Sequence, residues 1–455
     1  MVAVNTSFFS EMLQSIADRS RAFLRERREG RRERSEGLIE LCEDLLSGRG
    51  EASGVALADE ILADYAALKT GPRVAFFEAL ARVFGYDSER IDAAIAAWTR
   101  APSAEAAAEL NRASEPRRLE LFRRLNLAPG GTAALVRMRE QLLDAMGHRD
   151  DLAVVDNDFV HLFSSWFNRG FLVLRRIDWQ TPALILEKII RYEAVHQIRD
   201  WNDLRRRIDL PDRRCYAFFH PALVDEPLIF VEVALTREIP GAIAPILADK
   251  REVVDPARAS TAVFYSITSC QRGLAGVSFG HFLIKQVAEE ISRAMSQIGA
   301  FVTLSPAPNF AAWLARERNS PASIALTDAD RQALAALDNP DWWRDPAVAA
   351  AVREPLLSAA AWYFLRGRNA RNQPVDAVAR FHLGNGARLE RLDWLGDTSE
   401  RALAQSHGLM VNYLYELDQI ERNHEAYAQQ QTVVAASAVS RLVHAPVREI
   451  VPVSG

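Results

Sequence analysis

Between residues 35 and 146 apolar side chains return every three to four positions, as in "SEGLIELCEDLLS" (35–47) and "ALVRMREQLLDAM" (134–146). That spacing puts one apolar stripe on each segment and predicts a succession of amphipathic helices. Gly48 to Gly50 and "NLAPGGTAA" (126–134) are the breaks expected between them. Alanine-rich runs such as "DAAIAAWTRAPSAEAAAELNRA" (92–113) allow close helix packing. The pattern predicts an all-helical packing or oligomerisation domain over residues 1–165.

From about residue 165 the pattern changes. "GFLVLRRI" (170–177) and "PLIFVEVAL" (227–235) read as strands, and "PALILEKIIRYEAV" (182–195) as a helix. The stretch from Thr261 to Pro308 then reads strand, glycine-bearing loop, helix, strand. A helix of that length suits the crossover between two parallel strands. "PASIALTDADRQALAALDNPDWWRD" (321–345) looks like an inserted helical segment. The expected fold class is α+β: a helical N-terminal domain, then a mixed α/β domain over 166–455.

Composition narrows the function classes. A formal charge of −5 gives no general pull towards nucleic acid or an anionic membrane, and no nucleic-acid or membrane partner is expected. No run of 18 apolar residues offers a transmembrane span. Cys42, Cys215 and Cys270 lie far apart, forming neither a disulfide framework nor a metal pair. The nine histidines show no short metal-ligand spacing, so no metal site is expected.

Three stretches can carry chemistry. "QRGLAGVSFGH" (271–281) follows a strand and precedes an amphipathic helix. Gly273, Gly276 and Gly280 let backbone N–H groups approach a phosphate at the helix N-terminus, with Arg272 as a charged contact. The loop matches neither G-x-x-x-x-G-K-S/T nor G-x-G-x-x-G, and the start of a plain crossover is an equal reading. In "FVTLSPAPNF" (301–310) Ser305 sits at a strand-to-helix turn, with Pro306 or Pro308 able to open the helix; a simple N-cap is the plain alternative. In "VARFHLGNGARLERLDW" (378–394) His382 precedes two glycines, so its ring is expected at the mouth of a loop, where it can exchange a proton or serve structure alone. "SHGLMVNYLYEL" (406–417) adds Asn412, Tyr413 and Tyr415, placed either to line a pocket or to satisfy buried hydrogen bonds.

Taken together, "WFNRGFLVLRRIDWQTP", "RRCYAFFHPALVDEPLIFVEVALT", "TAVFYSITSCQRGLAGVSFGHFLIK", "TLSPAPNF", "VARFHLGNGARLERLDW" and "GLMVNYLYEL" resemble the malonyl-CoA decarboxylase family, in family order from 166 to 417. The resemblance implies an acetyltransferase-like (GNAT-type) catalytic domain whose adjacent parallel strands splay to admit the pantetheine arm. It implies Ser305 and His382 as catalytic residues, with Tyr415 as an active-site tyrosine beside them. Ala275, Gly276, Val277, Ser278, Phe279, Gly280 and His281 match the stretch that contacts acyl-CoA. Vertebrate members read "GVELG" where this chain reads "GVSFG", so Ser278 replaces their glutamate. The implied substrate is malonyl-CoA, the products are acetyl-CoA and carbon dioxide, and no cofactor is implied. A CoA-dependent acyltransferase and a non-catalytic malonyl-CoA sensor are the alternatives. Self-association as a dimer or tetramer is expected. The end of the chain lacks the peroxisomal tripeptide of some animal members, making a cytoplasmic protein the expectation.

Overall fold

A computed structural model describes residues 34–48, 51–147, 149–277, 279 and 283–443. The chain forms two compact units. The first holds the residues up to Val173 together with Phe218–Leu228 and Ser269–Phe279; the second holds the remainder.

The first unit is helical wherever the 3.6-residue period was read, from Arg34–Leu46 to Ala153–Trp166. Asp87 and Ser103 cap two of its helices by accepting from the N–H groups of Arg90 and Ala106. Its core is aromatic: Phe77, Phe84, Phe122, Phe159, Phe163 and Phe167 are fully buried, with Phe122 stacked on Phe159 at 4.2 Å. Buried Arg118 is paired with Asp158 at 2.5 Å.

The second unit is built around an eight-stranded mixed sheet. Its strands are β1 (Val173–Ile177), β2 (Arg213–Phe219), β3 (Pro227–Thr236), β4 (Thr261–Ser269), β5 (Ala300–Thr303), β6 (Ser305–Pro306), β7 (Arg388–Asp393) and β8 (Met410–Leu414). The order is β1-β2-β3-β4-β5-β8-β6, with β7 paired to β8. Nine of the ten residues of β3 are buried, which is why "PLIFVEVAL" reads as a nearly continuous apolar run. The helix Leu283–Ala294 connects β4 to β5, which are parallel as the crossover required.

β4 and β5 pair only from Thr261↔Ala300 to Phe264↔Thr303. β4 runs on for five residues, whereas the chain after Thr303 leaves β4 and stays with β8, which β5 already meets at Val302↔Leu414 and where Ser305 faces Val411 and Pro306 faces Met410 in antiparallel register. The two parallel strands therefore part beyond Phe264, as the expected fold requires.

Candidate active site

The parting of the strands places Ser305. The Leu304 N–H still bonds the Phe264 carbonyl at 3.1 Å, but the next residue is already in β6. Ser305 is buried rather than exposed at a helix start. Neither Pro306 nor Pro308 opens the following helix, which begins at Phe310 with Asn309 before it. The pairing of β6 with β8 carries the extended chain through Pro306, and Pro308 lies in the turn before the helix, correcting the expected position of Ser305 at a strand-to-helix turn.

His382 also stands on a different element from the one expected. It lies in the last turn of the helix Ala377–Gly384, and the two glycines that signalled a loop instead end that helix. Asn385 is the C-cap; Gly386 follows with φ +81°, and a side chain there would meet the Ile420 carbonyl at 2.2 Å. Asp376 starts the helix, accepting from the Ala379 N–H at 2.8 Å, and receives the Tyr363 hydroxyl at 3.2 Å. Both ends of the element carrying His382 are thereby fixed.

The second unit brings three of the expected residues together. His382 Nε2 is 3.1 Å from Ser305 Oγ, and His382 Nδ1 is 2.8 Å from the Tyr415 hydroxyl. Tyr413 stacks on the imidazole at 4.6 Å between centroids, and the buried Tyr413 hydroxyl has no hydrogen-bond partner among the described residues. His382 is 3% exposed, and burial holds its pKa down at about 3, so the ring is neutral at ordinary pH. Burial pushes the Tyr415 phenol well above its usual range.

The direction of the Ser305–Thr303 hydrogen bond sets the directions of the other two. Ser305 Oγ donates to Thr303 Oγ1 at 2.9 Å. A hydroxyl has one proton, so Ser305 meets His382 as an acceptor, and Nε2 carries the imidazole hydrogen. A neutral ring then leaves Nδ1 as an acceptor for the Tyr415 O–H. The chain runs Tyr415 → His382 → Ser305 → Thr303, each group donating to the next.

The glycine loop belongs to the first unit. Gly273 approaches protein rather than leaving room for a ligand: a side chain there would meet the Val136 carbonyl at 2.0 Å. Its own carbonyl and that of Ala275 accept from Arg139 Nη1 at 2.9 and 2.7 Å. Arg272 pairs with Asp144 at 2.5 Å, both side chains being more than half exposed. Ala275 and Gly276 are exposed, Gly276 with φ +76°, while Val277 is buried and Phe279 half-buried. Ser278, Gly280 and His281 lie outside the described residues. Among the described residues, no cluster of three or more His, Cys, Asp or Glu side chains can hold a metal, and no helix is long and apolar enough to cross a membrane.

The malonyl-CoA decarboxylase C-terminal domain family matches residues 170–452, and the N-terminal domain family matches 84–167. The chain belongs to the malonyl-CoA decarboxylase family. Mitochondrial malonyl-CoA decarboxylase of Anser anser anser is 36% identical over 84% of this chain and 82% of its own length. The solved malonyl-CoA decarboxylase of Rhodopseudomonas palustris is 59% identical, with a TM-score of 0.87 over 90% of this chain and 99% of its own. That of Agrobacterium vitis is 56% identical, with a TM-score of 0.86 over 90% and 100%.

Thr303 escaped the sequence reading because it occupies an ordinary alternating position in a short strand. Asp376 escaped because its helix was not recognised. Asn412, left open above, is fully buried and donates Nδ2 to the Thr303 carbonyl at 2.8 Å.

Proposed function

We propose that this protein is a malonyl-CoA decarboxylase that cleaves the substrate directly and protonates the resulting enolate from Ser305. The observation that carries the reading is the buried chain of hydrogen bonds with its donor end at Tyr415 and its serine at the parting of β4 and β5.

Breaking the bond between the malonyl carboxylate and the α-carbon releases carbon dioxide and leaves the electron pair in the thioester enolate. The thioester carbonyl is the electron sink, so this step draws on no metal or organic cofactor. A new C–H bond then forms at the α-carbon as the Ser305 O–H breaks. The Nε2 hydrogen moves to Ser305 Oγ, the Tyr415 hydrogen moves to Nδ1, a proton from water restores the phenol, and proton exchange with water returns the ring from Nδ1–H to Nε2–H before the next turnover. Holding these groups in place before reaction lowers the barrier by orientation, and the proton transfer adds roughly 10²–10⁴-fold.

A serine nucleophile needs a base facing its proton. Here Nε2 presents a hydrogen to Ser305, which favours direct decarboxylation over a malonyl-serine intermediate. In the same reading the CoA phosphates meet the 275–281 loop with Arg272 as an outer contact. The protein is cytoplasmic and self-associates as a dimer or tetramer; cell fractionation and light scattering over a range of concentrations test those two points.

The deciding experiment gives chelator-treated, purified protein malonyl-CoA and follows acetyl-CoA and carbon dioxide. The expected result is equimolar release of both. Intact substrate bound without turnover would indicate a sensor, and acyl transfer to an added amine would indicate an acyltransferase.

A further inference from the structure

Thr303 is 0% exposed, yet it carries a hydroxyl, and that hydroxyl faces the serine on which the decarboxylase reading rests. Its oxygen accepts twice: from Ser305 Oγ at 2.9 Å and from the Tyr413 N–H at 3.2 Å. Two accepted bonds occupy both lone pairs of a hydroxyl oxygen. The residue is held from both sides, since its backbone pairs with Phe264 of β4 and its carbonyl receives Asn412 Nδ2 from β8. Thr303 is therefore a fixed acceptor at a defined point on the sheet.

We propose that Thr303 is a positioning residue that holds the Ser305 proton away from His382 and so sets the tautomer of the imidazole and the direction of the relay. Remove that acceptor and, among the described residues, the hydrogen-bond partner left to Ser305 Oγ is His382 Nε2. The serine proton then turns towards Nε2, the ring hydrogen moves to Nδ1, and the Tyr415 hydroxyl becomes the acceptor. All heavy atoms stay in place, but every hydrogen in the chain reverses. The reversed chain is that of a serine facing a base, poised to attack and unable to be refilled from Tyr415.

Ring ¹⁵N NMR of protein labelled at histidine reads the tautomer directly, with His382→Gln assigning the signal. In the unmodified protein His382 is expected as the Nε2–H form. Thr303→Val, which keeps the branched shape, is expected to show the Nδ1–H form and to lose about tenfold or more in kcat with little change in KM. Thr303→Ser, which restores the acceptor, is expected to recover both. An Nδ1–H signal in the unmodified protein overturns the inference without any Thr303 variant. An unchanged tautomer in folded Thr303→Val does so as well. The tautomer needs no substrate, so it stands or falls separately from malonyl-CoA turnover.

Discussion

The imidazole of His382 is confined by a hydroxyl at each nitrogen and by the Tyr413 ring against its face. Two consequences can be measured. His382→Asn keeps some hydrogen bonding but cannot pass a proton between two nitrogens, so kcat is expected to fall roughly 10²-fold with KM nearly unchanged. Added to Ser305→Ala, it should cost little more, because either change breaks the same relay. Full additivity in a double-mutant cycle would contradict a shared relay. Tyr415→Phe leaves the ring in place and removes the donor to Nδ1; a smaller loss in kcat is expected, and turnover equal to the unmodified protein would exclude Tyr415 from the chain. Ser305, His382 and Tyr415 were legible because each stands in a distinctive block of sequence. Thr303 was not, since a strand alternates its side chains and nothing in "FVTL" marks which one meets a serine two residues on.

The helix Ala377–Gly384 shows what local pattern conceals. "FHLGNGA" reads as a loop because it is rich in glycine, yet the first glycine is the last helical residue and the second supplies the left-handed turn after it. The missed signal was Asp376, an N-cap six residues before the histidine. Asp376→Ala removes the cap and leaves the buried Tyr363 hydroxyl without its acceptor. Together these should destabilise the protein by about 2–4 kcal/mol, read as a lower urea midpoint at constant m-value. Asp376→Asn keeps an oxygen at the cap and should recover most of the loss; an equal loss in both variants would exclude the cap as the cause. By contrast, β4 was legible, because a run rich in β-branched and aromatic residues, "TAVFYSITS", ahead of a glycine-bearing loop has few other solutions.

On the scale of the whole molecule, the change from helical spacing to short apolar runs marked where helices give way to a sheet. What it could not show is that Phe218–Leu228 and Ser269–Phe279 group with the helices. Such pairings are made by contacts distant in sequence. The signals were present but unreadable alone: Gly273 is glycine because the Val136 carbonyl lies against it, and Arg139 is buried where it meets two carbonyls of the loop.

Burial also gives the molecule a definite response to acid. It holds His382 at about 3 and both His196 and His407 at about 4, against 6.5 in the unfolded chain. Below pH 6.5 the unfolded chain takes up protons that these folded histidines refuse, so their contribution to stability is lost as pH falls from 6.5 towards 4. Glu232 and Asp393, raised by burial to about 8 and 6, act in the opposite sense, losing stability as pH rises through those values. His382→Asn removes one histidine from the acid limb. Its unfolding free energy should therefore fall less between pH 7 and pH 5 than that of the unmodified protein. Parallel slopes would show that His382 is not held neutral by the fold.

The central claim is that a malonyl-CoA decarboxylase fold uses Ser305 as the immediate proton donor to the product carbon. The most direct test is the steady-state rate of acetyl-CoA formation from saturating malonyl-CoA by Ser305→Ala, beside the unmodified protein. The account predicts turnover by the unmodified protein and a kcat lower by about 10²-fold or more in the variant, at similar KM. A folded Ser305→Ala protein that decarboxylates malonyl-CoA at the unmodified rate would contradict it.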